Sequence, residues 1–142
     1  MQRVFTTSRH IDAPAPEVWR VMADVVRWPE WTPTVDSVER LDEGPFGVGS
    51  RARVRQPRLP AATWRVSELV DGRSFTWEAT GPGMRTVGRH EVVPDGTGSR
   101  VTLGIEQAGP VGAVAALVWR GLTRRYVEQE AESLEQRVTR AG

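Results

Sequence analysis

GPVGAVAALVWRGLTRRYVEQEAESLEQRVTR, residues 109–140, is the stretch on which the fold turns. Gly109-Pro110 marks a boundary. Behind it Val114, Leu117, Val118, Leu122, Val127, Ala131, Leu134 and Val138 recur at helical intervals, with Arg124, Arg125, Glu128, Glu132 and Gln136 between them. The pattern predicts one long amphipathic helix of about thirty residues. At 1.5 Å per residue it would span roughly 45 Å, the diameter of a small domain or more.

Upstream of that helix the apolar period drops to two. In Arg51–Gln56 the residues Arg51, Arg53 and Arg55 alternate with Ala52, Val54 and Gln56, a strand with one wet and one dry face. Ala62–Val70 places Trp64 and Val66 on one face, and Ser74–Thr80 does the same with Phe75, Trp77 and Ala79. Arg85–Val93 and Arg100–Gln107 complete the run, the latter with Val101, Leu103 and Ile105 aligned. Asp71-Gly72, Gly81-Pro82-Gly83 and Pro94–Gly98 are turn signals between them, and such short connections favour an antiparallel meander.

Two more strands are expected, at Arg3–Ile11 and Val35–Leu41. Between them Pro16 opens a helix, with Val18, Trp19, Met22, Val25 and Val26 on one face and Pro29 at its end. Trp28–Pro33 then forms a compact turn or a second short helix. The expected class is α+β: a curved seven-stranded antiparallel sheet, one or two short helices after the first strand, and a long C-terminal helix. That helix is the only element large enough to cover the sheet's apolar face. At 142 residues the chain is expected to form one domain over 1–142.

Composition narrows the chemistry. Apolar residues make up 39% and charged residues 26%, the balance of a soluble globular protein. A net charge of +1 gives no sign of a nucleic-acid partner. Without cysteine the chain has no disulfide, no thiolate nucleophile and no cysteine metal site. Without lysine it forms no lysine Schiff base, so all its positive side chains, His10 and His90 aside, are arginines. His10 and His90 are too few for an all-histidine metal site and show no HxxxH or HExxH spacing, so neither metal nor cofactor is expected. The Gly44–Gly49 loop lacks the GxxxxGK[ST] pattern of a phosphate loop, and no GxSxG elbow occurs. No stretch has the length of a transmembrane helix and the start shows no signal-peptide pattern, so the expected location is cytoplasmic.

Ile11-Asp12-Ala13-Pro14, then Pro16-Glu17-Val18-Trp19, then Asp24, Trp28, Pro29 and Trp31 form the most specific motif of the chain. Val48-Gly49-Ser50, Arg100-Val101-Thr102 and the late pair Glu130 and Leu134 follow at matching spacing. Taken in order, these resemble the START-like (SRPBCC) superfamily, near its polyketide cyclase/dehydrase members, over almost the whole chain. The resemblance implies a helix-grip fold and a deep cavity between sheet and C-terminal helix for lipids, polyketides or other hydrophobic compounds.

If that inward parity holds, Phe5, Thr7, Arg9 and Ile11 face the helix from the first strand. Val54, Gln56, Trp64, Val66, Phe75, Trp77 and His90 join them, with Trp119, Leu122 or Tyr126 from the helix. The ligand-binding set expected is therefore Phe5, Thr7, Val54, Gln56, Trp64, Val66, Phe75, Trp77, His90, Trp119, Leu122 and Tyr126. An inward Arg9 needs a partner, Glu68, Glu106 or a ligand anion, unless the register turns it to solvent. His90 is either a general base or a satisfied core histidine. The Trp28/Trp31 pair is either a cavity lid or a cap on the short helix. Three functions stay open: a binder of a hydrophobic small molecule, a cyclase or dehydratase using His90 with Arg9 and Tyr126, and an interaction module with a closed cavity. No specific catalytic motif decides for an enzyme. Monomer and homodimer are equally compatible with the sequence.

Overall fold

The structure, a computed structural model, describes residues 3–111 and 120–140. The chain enters as β1 (Arg3–Ile11), turns through α1 (Ala15–Ala23) and a 3-10 helix (Val25–Glu30), and then runs through six strands. These are β2 (Ser37–Arg40), β3 (Arg51–Arg55), β4 (Ala62–Val70), β5 (Ser74–Gly81), β6 (Met84–Asp95) and β7 (Gly98–Ala108). The last described element is α2 (Arg120–Arg140). Val114, Leu117, Val118 and Trp119 of the long helical pattern lie outside the described residues.

All seven strands join in one antiparallel sheet with the order β1-β7-β6-β5-β4-β3-β2. From β2 onward each strand pairs with the next, as the short turns require. The β6–β7 hairpin closes between Asp95 and Gly98, with Gly96 at φ 64°, a left-handed backbone that glycine adopts without steric cost. A register shift between Val66 and Glu68 marks a bulge in β4, a device that increases local bend and twist. On β3 the arginines are exposed and Ala52 and Val54 buried, the wet-and-dry pattern of the sequence.

The first helix is shorter than its apolar stripe predicts. It stops at Ala23, the chain breaks at Asp24 (φ −86°, ψ 71°), and Pro29 sits inside the 3-10 helix instead of ending α1. The cause is Trp28. Its buried indole Nε1 donates to the Met22 carbonyl at 3.0 Å, satisfying one of the groups that a helix C-terminus leaves open. Turning the chain to seat Trp28 keeps Val25 buried and puts Val26 outside, 48% exposed. The expectation that Val26 shares the apolar face is corrected by this break.

The core lies between the sheet and the helices. Helix α2 packs on β1, β7 and α1, with Val127, Ala131, Leu134 and Val138 buried. Phe75 is fully buried and stands at the centre of an aromatic cluster. The rings of Trp19, Trp28, Phe46, Trp77 and His90 surround it at centroid distances of 6.3, 6.4, 5.2, 5.5 and 4.2 Å.

Candidate ligand cavity

Side-chain size along the inner strand faces decides where this core is solid and where it is hollow. Phe75, Trp77 and His90 fill the space next to α1 and the 3-10 helix. Further along the same faces come Ala79 on β5, Thr86 and Gly88 on β6, and Ala62 on β4. Those small residues leave a partly open cavity of about 680 Å³ between the sheet and α2. Ligand cavities commonly measure ~300–1,000 Å³. Gly88 lies close under Trp77: a Cβ there would be 3.1 Å from the indole, which would have to give by a few tenths of an ångström.

Trp28, Trp64, Trp77 and Leu103 supply apolar wall, and Thr123, Tyr126, Val127 and Glu130 face it from α2. Exposed Pro60 and Ala61 of the β3–β4 loop and Gly81 of the β5–β6 turn form its rim. The Tyr126 hydroxyl donates to the Pro57 carbonyl and ties α2 to that loop. Next to Pro57, Arg58 has φ 67°, a strained backbone for any residue but glycine.

Of the residues expected to contact a ligand, Val54, Gln56, Trp64, Trp77, His90 and Tyr126 line the cavity. Val66 and Phe75 point inward but do not line it, because both are fully buried in the packed part of the core. Phe5, Thr7 and Leu122 do not line it either. Strand β1 is an edge strand that packs against α2, so its inward residues meet the helix and not the void. Phe5 there lies under the Arg124 guanidinium, 5.1 Å from its ring centroid. Trp119 lies outside the described residues.

Arg9 has the expected helix-facing parity but a different partner. Its Nε is 3.4 Å from Glu135 Oε1 on α2, with both side chains about a third exposed. Glu68 is exposed at the β4 bulge, and Glu106 is on the outer face, 3.7 Å from Arg89. Arg9 therefore stands apart from His90 and Tyr126. Trp28 caps the end of α1 through its indole and also lines the cavity.

The residue whose role the sequence did not reveal is Glu130. Its Oε1 is 3.6 Å from His90 Nε2, and both side chains are largely buried, 16% and 7% exposed. On the other side of the ring His90 Nδ1 lies 3.4 Å from the Phe75 carbonyl. The signal was present as spacing: Tyr126 and Glu130 are four residues apart on a helix, next to the apolar stripe of Val127, Ala131 and Leu134. Spacing alone could not show that this edge of the stripe meets a void. Among the described residues no group of three or more His, Asp or Glu side chains is placed to hold a metal ion. Nor is any described helix long and apolar enough to cross a membrane.

A curved sheet gripping a C-terminal helix, with a ligand-sized aromatic cavity between them, defines a helix-grip protein. The chain matches the family model described as polyketide cyclase / dehydrase and lipid transport over residues 2–139, and it belongs to that family. Among solved structures it is similar to the Zhui aromatase/cyclase from Streptomyces sp. R1128, at 21% identity and TM-score 0.79, covering 99% of this chain and 95% of that one. It is also similar to TTHA0849 from Thermus thermophilus, at 23% identity and TM-score 0.78, covering 99% of both chains. A third is norcoclaurine synthase from Thalictrum flavum in complex with dopamine and hydroxybenzaldehyde, at 15% identity and TM-score 0.77, covering 100% and 89%. At these identities the likeness is one of fold. No curated protein matches the chain.

Proposed function

We propose that this chain acts as one domain, residues 1–142, that binds a hydrophobic small molecule of lipid or polyketide class between sheet and α2. One observation carries the reading: the partly open cavity of about 680 Å³ has a wall of Trp28, Trp64 and Trp77. Water in such a space makes few hydrogen bonds, and a planar or aliphatic ligand releases it while gaining dispersion contacts. Family membership and the aromatic compounds held by the norcoclaurine synthase structure support the same reading. Val54, Gln56, Trp64, Trp77, His90 and Tyr126 are the contact residues on this proposal. Native mass spectrometry of gently purified protein, followed by tryptophan-quenching titration with lipids and aromatic polyketides, tests it. A co-purifying compound or saturable quenching at micromolar concentration is expected; neither adduct nor quenching would reject it.

A second reading, a cyclase or dehydratase reaction in the same cavity, is favoured by the His90–Glu130 approach of 3.6 Å. A carboxylate beside the imidazole stabilises the protonated ring that forms when it takes a proton from carbon next to a carbonyl. Arg9 has no part in this version. With a compound found to bind, His90→Ala should lower turnover roughly 100-fold or more while leaving binding measurable. Unchanged turnover would remove the reading. A third reading, an interaction module with a closed cavity, has less support here, because the cavity is partly open.

A further inference from the structure

Hydrogen-bonding groups on the cavity wall are partnered to different degrees. Several donors on or near it already serve backbone carbonyls. Gln56 Nε2 donates to Thr34 O at 3.2 Å, Trp28 Nε1 to Met22 O at 3.0 Å, and the Tyr126 hydroxyl to Pro57 O. His90 and Glu130 are in a different condition. The Phe75 carbonyl can only accept, so the His90 Nδ1 facing it at 3.4 Å carries a proton. In the neutral ring Nε2 then presents a lone pair. That lone pair looks toward Glu130 Oε1 across 3.6 Å, too far for a hydrogen bond. Among the described residues the Glu130 side chain accepts no hydrogen bond. With the ring neutral, two acceptors converge on one space at the edge of the void.

The arginines closest to the cavity face away from it. Arg51, Arg65 and Arg89 border the cavity but occupy outward positions of their strands. Arg51 pairs there with Asp42 at 3.3 Å and Arg89 with Glu106 at 3.7 Å. The indoles of Trp28 and Trp77 lie around His90, at 5.4 and 5.9 Å between ring centroids. Their faces favour a cation over an anion.

We propose that the cavity's ligand is an aromatic compound carrying an amine, whose ammonium group enters between Glu130 and His90 Nε2, and that carboxylates are excluded. This rests on the binding function proposed above and adds the head group. A primary ammonium has three N–H donors, enough to satisfy both acceptors at once. A carboxylate of the same size brings a third acceptor and a like charge to the same place, which leaves buried polar groups unpaired.

The test is calorimetric titration with three probes of one shape: 2-(2-naphthyl)ethylamine, 2-(2-naphthyl)ethanol and 2-naphthylacetic acid. The amine is expected to bind roughly 10-fold or more tighter than the acid, as a charge-assisted hydrogen bond implies. Glu130→Gln should weaken the amine about 10-fold while the alcohol stays within about twofold, showing that the cavity is intact. An acid that binds as tightly as the amine overturns the proposal. So does an amine indifferent to Glu130→Gln, or an equal loss of amine and alcohol. If the variant does not fold, the wild-type ratio of amine to acid decides. Alcohol binding without preference for the amine rejects this inference alone; failure of all three probes rejects the hydrophobic-ligand reading with it.

Discussion

Phe75 and Gly98 show how single residues set the limits of this protein. Phe75 meets five other rings from a fully buried position, so Phe75→Ala removes a large apolar volume that its neighbours cannot refill. The expected loss is about 3–5 kcal/mol in urea unfolding. Gly98 is constrained by a close approach: a Cβ there would be 2.4 Å from the backbone oxygen of Ile11. That oxygen accepts a hydrogen bond from the Ala13 N–H at 2.9 Å where β1 turns, so Gly98→Ala must shift backbone and should cost about 2 kcal/mol or more. A surface pair adds a pH effect. The Arg85 guanidinium, 2.6 Å from Glu78, holds that carboxyl below its ordinary range, against the opposing effect of burial. A depressed folded-state pKa adds stability above the unfolded value and loses it as pH falls through the folded one. Between about pH 5 and pH 3 the wild type should therefore lose stability more steeply than Arg85→Gln. Parallel melting curves over that interval would contradict it.

Elements were legible where one period ran undisturbed. β1 and β4 have the bounds their alternation predicts, and the other strands differ by up to two residues at either end. What alternation could not show was the neighbour of each inward face. Phe5 and Thr7 have the right parity, yet β1 sits at the sheet edge beneath α2, whereas β3 to β7 border the void. Similarly, the stripe from Val18 to Val26 reads as one helix, and only the buried hydrogen bond of Trp28 splits it. The tie between α2 and the β3–β4 loop is also a contact between elements. Tyr126→Phe deletes its donor at the cavity rim and should cost about 0.5–1.5 kcal/mol. Ligand dissociation should quicken in stopped-flow displacement, since the loop beside strained Arg58 loses its anchor. An unchanged dissociation rate would mean that this loop does not control the exit.

For the whole molecule, the cavity is a stability term as well as a binding site. Empty space forfeits dispersion contacts, and a ligand that fills it stabilises the fold by mass action, by about 2.7 kcal/mol at 100 times its dissociation constant, and so raises the melting temperature. Ala79→Phe fills the same space from inside. The variant should hold wild-type stability within about 1 kcal/mol and lose the ligand-induced shift, which thermal melts with and without ligand would show. A shift as large as in the wild type would place the ligand elsewhere. By itself the sequence determined the period of each segment, the turns between strands and the one helix long enough to cover the sheet, because those depend on neighbours two to four residues apart. Tertiary structure alone decided that Arg9 meets Glu135, that Glu130 meets His90, and that small residues on β4, β5 and β6 align into a void. Those are contacts between residues up to 126 positions apart, between Arg9 and Glu135, and their distances follow from how far the sheet curls around the helix.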